Sequence, residues 1–251
     1  MKGVLLSLDP RATIVDLDNA IRPQDIRHGA YVLLTAAPHF PFAVHIAVVD
    51  PGVGTARKAV ILRTPRADFV APDNGILSYV LQDYDIAVDN ENAKIAPGSG
   101  LEAVAITSPR FRRSPVSATF HGRDIFAPAA AHLSLGVPLS DFGEALDSLT
   151  VFPVPVPRRE SDGGLTGHIL HIDSFGNLIT DIKERDLSGD TASMTATVGG
   201  EVIRGLSRTY GSGRGLLALI GSSGRLEISL RDGSAAARLR AEVGDGITVK
   251  I

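Results

Sequence analysis

The chain of 251 residues contains no cysteine, and neither acidic nor basic side chains are in marked excess. The absence of cysteine excludes disulfide bonds, thiol nucleophiles, cysteine-ligated zinc and iron–sulfur clusters. With 25 basic and 28 acidic side chains the net charge is -3. A charge this small gives no electrostatic footprint for nucleic acid or for an anionic membrane, so neither is expected as a partner.

Long hydrophobic runs are also missing. No apolar stretch approaches the roughly 18 residues that a membrane-spanning helix needs. The apolar residues that follow Lys2 are cut short by Asp9 and Pro10, so we expect no secretory signal peptide. These features predict a soluble, cytoplasmic protein, and the lack of cysteine is compatible with that compartment.

The apolar content is ample for a packed core, since 44% of the residues are hydrophobic. Over residues 1–150, predicted strands alternate with predicted helices. The apolar run 44–49 is typical of a buried parallel strand, and the alanine-rich segment 124–135 is typical of a helix. Further strands are predicted at 12–16, 59–62, 69–71 and 103–107, and further helices at 3–8, 23–37 and 75–81. This alternation predicts an α/β domain with a largely parallel sheet flanked by helices.

The pattern changes at residues 152–157, where three prolines at alternate positions predict an extended connector. Beyond it, short predicted strands are separated by glycine-rich turns. They lie at 165–172, 178–182, 192–198, 216–220, 226–230 and 246–251. This pattern favours a smaller, mostly antiparallel β domain, barrel-like or a sandwich. We therefore expect an α/β domain at residues 1–152, a proline-rich linker at 153–162 and a β domain at 163–251.

The loop that follows the predicted strand 44–49 is the first candidate for chemistry, because parallel sheets place their sites beyond the carboxyl ends of strands. Asp50 is followed by a turn rich in proline and glycine, and Arg57 stands seven residues later. Paired, these two side chains could hold a polar small molecule or a water. The alternative is a turn with a surface ion pair of little energetic value.

Two other segments of the first domain precede helices. Asp73 and Asn74 lie at a strand end, where Asp73 either caps the next helix or leaves exposed N–H groups for a ligand oxygen. His121, preceded by Phe120, stands at the entry to the alanine-rich helix. A histidine near Asp50 and Arg57 would complete a set able to bind and polarise a water, whereas the alternative is an ordinary helix-entry histidine.

In the second domain, a strand–turn combines Asp173, Phe175 and Asn177. Asparagine suits recognition of an adenine edge and phenylalanine suits stacking on a base, although a plain hairpin turn has the same composition. The loop containing Ser222 and Ser223, with Glu227 beyond it, could cradle a carboxylate or be a simple turn. His168 and His171 are three apart on a predicted strand and point to opposite faces, so we predict no metal site there.

Taken together and in this order, these segments resemble the S-adenosyl-L-methionine hydrolase (hydroxide adenosyltransferase) family, which is related to fluorinase and chlorinase. The resemblance runs from Met1 to the C-terminus. Its markers are residues 1–4, 23–30, 50–57, 71–75, 120–124, 173–177, 221–224 and 226–228. Each segment alone is a weak match, and all of them in sequence order make a specific one.

The resemblance implies a homotrimer in which substrate binds between the first domain of one subunit and the second domain of its neighbour. The implied reaction is attack of a water-derived hydroxide on the ribose C5′ of S-adenosyl-L-methionine, which releases adenosine and L-methionine. The family's water-binding set falls on Asp50, Arg57 and His121. The halogenating relatives lack this set, so its presence favours hydrolysis over halogenation.

The resemblance also places the substrate. The implied binding residues are Asp73, Asn74, Phe120, Asp173, Phe175, Asn177, Ser222, Ser223 and Glu227. Asn177 and Phe175 match the adenine-binding turn, and the last three match the loop that receives the methionine moiety. Because the sulfonium is already a good leaving group, we expect neither a cofactor nor a metal. Arg57 would favour negative charge on the attacking oxygen, and either His121 or Asp50 would accept its proton.

Two departures from the family pattern bear on activity. The family's first strand, which ends in Thr-Asp-Phe-Gly, and a following Asp-x-Tyr-Val-Gly segment precede the Met-Lys-Gly at which this chain starts, and they hold ligand-binding aspartates. Gln24 replaces a residue that is usually aromatic in relatives and that walls the ribose pocket. Two functions are therefore expected: a hydrolase whose activity the missing strand weakens, or a non-catalytic protein that binds adenosine or S-adenosyl-L-methionine.

Overall fold

The computed structural model describes all residues except 85, 87, 90, 188 and 190, and only the backbone of residues 88 and 89. The chain forms two compact units, Met1–Val154 and Pro155–Ile251. Across the described residues, no helix is long and apolar enough to cross a membrane.

The N-terminal unit contains four α-helices and eight strands in its described part. The helices are α1 (Lys2–Leu8), α2 (Ile26–Ala36), α3 (Ser78–Gln82) and α4 (Ala127–Ser134), with a π-helical turn, Gly122–Phe126, running into α4, and short 3-10 turns at Ala37–His39, Pro109–Phe111 and Leu139–Asp141. The strands are β1 (Val44–Ile46), β2 (Ala59–Arg63), β3 (Asp68–Pro72), β4 (Val88–Asp89), β5 (Asn92–Lys94), β6 (Glu102–Ala105), β7 (Ala145–Leu146) and β8 (Ser148–Thr150).

The main sheet of this unit has the order β1-β3-β2-β6-β7, while β4, β5 and β8 form a small separate sheet. β1 pairs with β3 in parallel, and the other pairs of the main sheet are antiparallel. A tight turn joins β2 to β3, in which the Thr64 hydroxyl accepts from the backbone N–H groups of Arg66 and Ala67. The predicted α/β class is confirmed as a mixed sheet, in which this hairpin leaves less parallel pairing than alternation of helices and strands predicts.

The core of the unit lies between the sheet and α4. The alanines of α4 are buried, and their small side chains allow the helix to lie close to β1 and α1. These alanines belong to one hydrophobic cluster, in which Ile61 of β2, Phe126 and Phe142 are also fully buried. The helix ends at Ser134, and two residues later Gly136 has a φ of +86°, the left-handed conformation that favours glycine. This packing fixes the N-terminal end of α4, next to which His121 stands.

Several predicted elements differ from the structure, among them the strands predicted at 44–49 and 192–198, which form only over Val44–Ile46 and Thr195–Val198. Residues 12–16 form no strand. Val15 is exposed, and among the described residues no strand pairs with its backbone. The predicted helix 23–37 starts only at Ile26, because Gln24 has a left-handed φ of +69° and the Asp25 carboxylate caps the helix by accepting from the His28 N–H. The predicted helix 75–81 likewise starts at Ser78, since Gly75 has a φ of +95°.

The C-terminal unit is mostly antiparallel β structure, as predicted. Its elements are β9 (Arg158–Arg159), β10 (Leu165–Ile172), β11 (Leu178–Lys183), β12 (Thr195–Val198), β13 (Glu201–Arg204), β14 (Leu206–Ser207), β15 (Leu216–Ile220), β16 (Arg225–Leu230), α5 (Ala235–Leu239) and β17 (Gly246–Lys250). The sheet order is β13-β12-β17-β10-β11-β16-β15-β14, and β9 pairs with β10. β13 also contacts β15 near the far end of this order, so the sheet curls toward a barrel, and the predicted class is confirmed.

Candidate active site

A loop beyond β1 brings Asp50 and Arg57 together. The chain leaves the sheet after Ile46 and turns back through residues 50–57, where the Thr55 hydroxyl donates to the Gly52 carbonyl at 2.7 Å. Gly54 has a φ of +79°, and a Cβ there would lie 2.6 Å from the carbonyl oxygen of Ala118. This close approach, which only glycine permits, joins the loop to the segment that leads into His121.

Arg57 bridges the other two predicted residues of the site. Its Nε donates to Asp50 Oδ1 at 2.9 Å, and its Nη2 donates to Asp50 Oδ2. The same Nη2 lies 3.0 Å from His121 Nδ1. The side chains of Arg57 and Asp50 are only 8% and 6% exposed, so the pair is shielded from water. The three residues predicted to form a water-binding set therefore form one hydrogen-bonded cluster.

The contact with Arg57 fixes the tautomer of His121. A guanidinium carries only donors, so His121 Nδ1 must accept from it, and the neutral ring then has its proton on Nε2. Burial, and next the positive charge of Arg57, lower the pKa of His121 below its usual value of 6.5. At neutral pH the ring is uncharged and presents a donor at Nε2.

Asp124 holds the segment that carries His121. Its side chain is 1% exposed and accepts from the Ser117 N–H at 2.9 Å and from Arg123 Nε and Nη2 at 2.7 and 2.8 Å. The Arg123 hydrogen bonds are the main reason why the pKa of Asp124 falls to about 2. Phe120, predicted to bind substrate, is 48% exposed and lies 4.8 Å from the Arg123 guanidinium, measured to the ring centre.

Asp73 and Asn74 form hydrogen bonds with backbone groups near the cluster. Asp73 does not cap α3, because its carboxylate accepts from the Thr150 N–H at 2.7 Å; that alternative is wrong. Burial raises the pKa of Asp73. Asn74 Nδ2 donates to the carbonyl of Val49 at 2.9 Å, one residue before Asp50. The amide therefore fixes the point at which the chain enters the loop of Asp50.

A cavity of about 600 Å³ adjoins this cluster within the N-terminal unit. Asp50 is part of its wall, together with Gly29 of α2 and apolar side chains such as Ile21 and Val48. The volume falls within the range of small-molecule sites. Gln24 also lines it, at the position that the resemblance assigns to the ribose pocket.

In the C-terminal unit, Asp173 organises the turn between β10 and β11. Its Oδ1 accepts from the N–H groups of Phe175 and Asn177 at 2.9 and 2.8 Å, and its Oδ2 accepts from Asn177 Nδ2 at 2.8 Å. Asn177 is 8% exposed, whereas Phe175 is 77% exposed. A large aromatic side chain held out by an ordered turn is a surface on which a planar ring can stack.

The β15–β16 turn carries the remaining predicted residues. Ser222 and Ser223 are exposed at its tip, while Glu227 of β16 is 6% exposed. Glu227 Oε2 accepts from the Tyr210 hydroxyl at 2.9 Å, and burial raises the pKa of Glu227. Tyr210 is not among the predicted residues, because its link to Glu227 spans the β14–β15 loop and leaves no short-range pattern in the sequence.

The structure brings the predicted residues together in two groups, one in each unit. In neither group do three histidine, aspartate or glutamate side chains converge as ligands for a metal ion, among the residues that the structure describes. His168 Nδ1 instead lies 3.3 Å from Asp181 Oδ2. The N-terminal group is suited to holding a polarised water. The C-terminal group offers an aromatic surface, the buried carboxylate of Glu227 and the half-buried carboxylate of Asp173.

Comparison with known proteins matches both units. The model of the SAM hydroxide adenosyltransferase N-terminal domain matches residues 1–143, and that of the C-terminal domain matches residues 167–248. An (R)-S-adenosyl-L-methionine hydrolase of Salinispora arenicola is 38% identical over 251 residues, covering 98% of this chain and 90% of the relative. One of the same name from Thermus thermophilus is 39% identical over 249 residues, covering 97% and 90%.

More distant relatives and solved structures agree. A fluorinase of Actinoplanes is 30% identical over 213 residues, covering 74% of this chain and 67% of the relative. The crystal structure of an uncharacterised conserved protein from Thermotoga maritima superimposes with a TM-score of 0.85 at 32% identity, covering 100% of this chain and 93% of that one. The likeness therefore extends over both units.

Proposed function

The chain belongs to the S-adenosyl-L-methionine hydroxide adenosyltransferase family, and from this premise we infer that it is an enzyme that hydrolyses S-adenosyl-L-methionine to adenosine and L-methionine. The observation that carries its mechanism is the bridge that Arg57 makes between Asp50 and His121. Three polar side chains held in one shielded cluster form a preorganised binding place for a single water.

We propose the following hydrogen bonds for the water. His121, with its proton on Nε2, donates to the water oxygen, and Asp50, which is an acceptor only, receives a water proton. The water oxygen forms a bond to ribose C5′ while the C5′–S bond breaks. The electron pair of that bond passes to sulfur, which becomes the neutral thioether of methionine. Arg57 stabilises the negative charge that develops on the attacking oxygen. Asp50 is therefore our choice for the proton acceptor.

No cofactor or metal is assigned to this reaction. The leaving group is a positively charged sulfonium that departs as a neutral thioether, so the step needs neither an acid nor a Lewis acid at sulfur. What the protein must provide is a water at attack distance with little competing solvent, and the low exposure of Asp50 and Arg57 supports this role.

In this proposal, the two groups of residues bind different parts of the substrate. Phe175 stacks on the adenine, and Asn177 binds its edge through the side-chain oxygen and the Nδ2 N–H that does not donate to Asp173. Ser222, Ser223 and Glu227 receive the methionine moiety. Asp73, Asn74 and Phe120 complete the substrate-binding residues that the family resemblance implies.

We also propose a cytoplasmic homotrimer with its sites at subunit interfaces. The family pattern supports this assembly, because it pairs the N-terminal group of one subunit with the C-terminal group of its neighbour. Light scattering measures the mass directly, and the mass of a single chain at assay concentration would exclude the shared site.

Turnover with labelled water tests the reaction. The protein is incubated with S-adenosyl-L-methionine in water enriched in heavy oxygen. The products are separated by chromatography, and their masses are measured by mass spectrometry. We expect adenosine and methionine in equal amounts, with the heavy oxygen in the 5′-hydroxyl of adenosine. The same rate is expected with and without fluoride or chloride. No adenosine above a buffer blank, or unlabelled adenosine, would contradict hydrolysis at C5′.

The protonation of His121 sets the acid limit of activity. Protonation would place an N–H on Nδ1 against Arg57 and break the cluster, and because burial and Arg57 lower the pKa of His121, this happens only below pH 6.5. We expect kcat to be constant through neutral pH and to fall as pH drops through that lowered pKa. Asp50, Arg112 and Asp124 are the other charged groups acting on the ring, and Asp124, with a pKa of about 2, stays ionised throughout.

A His121→Gln variant tests whether His121, and not another titratable group, causes the loss of activity at low pH. Glutamine keeps a side-chain N–H donor but does not titrate. The variant is therefore expected to keep a reduced kcat that no longer falls at low pH. His168→Gln is the matched control, because that ring lies in the C-terminal unit beside Asp181. If kcat of His121→Gln still falls at low pH as in the wild type, another group controls that decrease.

A further inference from the structure

Tyr210 contacts a carboxylate that the proposed function uses. It lies between β14 and β15, is 48% exposed, and donates its hydroxyl proton to Glu227 Oε2 at 2.9 Å. Glu227 stands in β16 opposite Ile179 of β11 and Leu219 of β15, so its backbone is fixed from both sides. The side chain of an exposed loop residue thus reaches a buried acid.

Gly221 fixes the other side of the same carboxylate. A Cβ at Gly221 would lie 1.7 Å from Glu227 Oε1, which is too close for any side chain at this position. The Glu227 carboxylate therefore lies directly against the backbone of the β15–β16 turn, with Oε1 toward Gly221 and Oε2 toward Tyr210. This arrangement gives the carboxylate a single orientation.

The charges around Glu227 are unbalanced. Asp173 lies close enough to raise the pKa of both Glu227 and Tyr210, and in the described part of the chain no basic side chain forms an ion pair with Asp173 or Glu227. Burial, with Glu227 second, raises the pKa of Tyr210 to about 12, so its hydroxyl remains a donor at physiological pH. A buried carboxylate with only a neutral donor is costly unless a cation joins it.

Resting on the proposed function, we propose that Tyr210 is a positioning residue, whose hydroxyl holds the Glu227 carboxylate ionised and oriented to receive the ammonium group of the methionine moiety. The ammonium suits this place better than the sulfonium, because it has N–H donors for the remaining lone pairs of the carboxylate, whereas a sulfonium has none. Tyr210 acts through Glu227 and takes no part in the attack at C5′.

A Tyr210→Phe variant removes the hydroxyl and little else. We expect KM for S-adenosyl-L-methionine to rise about tenfold at neutral pH with kcat changed by less than about twofold, since the lost bond is one to a charged group. Without the donor the pKa of Glu227 rises further, so the increase in KM is larger at lower pH and smaller at higher pH. Ser212→Ala is the matched control, because the Ser212 hydroxyl bonds within the same loop to Thr209.

A double-mutant cycle separates positioning from general loop damage. In a Glu227→Gln background there is no charge for the hydroxyl to stabilise, so adding Tyr210→Phe leaves KM nearly unchanged. An unchanged KM in the single variant would overturn the proposal, as would an equal increase in both backgrounds.

Calorimetry tests the ligand chemistry without turnover. L-methionine carries the ammonium alone, and 5′-dimethylsulfonio-5′-deoxyadenosine carries the sulfonium alone. We expect Tyr210→Phe to weaken binding of L-methionine about tenfold and to leave the sulfonium compound unaffected. The reverse pattern would assign the carboxylate to the sulfonium and contradict the proposal. If the wild type forms no adenosine yet shows the expected binding, the failure lies with the proposed function and not with Tyr210.

Discussion

Arg57→Ala is expected to lower kcat about a thousandfold, the loss seen when a preorganised donor at a developing charge is removed. The variant also loses the bridge between Asp50 and His121, since Arg57 makes hydrogen bonds to both. With Nδ1 no longer required to accept, His121 can take either tautomer, and the donor at Nε2 is not maintained. The charge stabilisation and the orientation of the water are therefore lost together.

The assay is the release of adenosine under saturating substrate, with KM measured in parallel. Arg63→Ala is the matched control: Arg63 makes the same two-bond contact, from Nε and Nη2 to the Asp68 carboxylate at 2.8 Å each, at the β2–β3 hairpin away from the cluster. We expect it to keep kcat within about twofold, because exposed ion pairs contribute little. A similar loss in both variants would mean that general destabilisation explains the Arg57 result.

Arg57→Lys keeps the result interpretable if the alanine variant unfolds. Removing Arg57 leaves Asp50 buried without a partner, at a cost of about 3–5 kcal/mol. Lysine restores a positive charge for Asp50, but a point charge cannot bridge two acceptors as the guanidinium fork does. We expect a folded protein by thermal unfolding whose kcat is still reduced at least about tenfold. Wild-type activity in Arg57→Lys would contradict the bridging role.

The sequence predicts elements well where local rules and tertiary packing agree. The strands 165–172 and 216–220 have the predicted bounds, because turns flank their apolar runs on both sides. Residues 12–16 have the same β-branched character but pair with no strand in the described part of the chain, and propensity without a partner forms no ladder. The β2–β3 hairpin depends on the hydroxyl of Thr64, a turn without the glycine or asparagine that normally indicates one.

The site was predictable to different degrees. Asp50 and Arg57 are seven residues apart, so a single turn is enough to suggest their pairing. His121 lies 64 residues after Arg57, and its approach depends on Gly54 packing against Ala118. Such a contact between two loops leaves no periodic pattern in the sequence. The capping alternative for Asp73 is wrong for the same reason, because its partner, Thr150, is far along the chain.

Gly221→Ala is expected to have the second largest effect, a rise in KM for S-adenosyl-L-methionine of more than about tenfold. The added methyl group needs the space of Glu227 Oε1, so the carboxylate must move away from the turn and from Tyr210. Overpacking of this kind costs about 1–3 kcal/mol of stability, which thermal unfolding measures. The chemistry at C5′ is unaffected, so kcat is expected to fall much less than KM rises.

The same turn supplies the control. Gly224 has a φ of +68° and open space where a Cβ would stand, so Gly224→Ala strains the backbone by about 1–2 kcal/mol without touching Glu227. If binding depends on the position of the carboxylate, Gly224→Ala lowers stability and leaves KM near wild type, whereas Gly221→Ala raises KM. Shortening the acid in a Gly221→Ala/Glu227→Asp variant returns room for the methyl group and should recover part of the stability but not the KM, because the shorter carboxylate no longer reaches Tyr210. Equal KM values for the two alanine variants would show that the turn tolerates a displaced Glu227 and that its carboxylate does not bind the substrate.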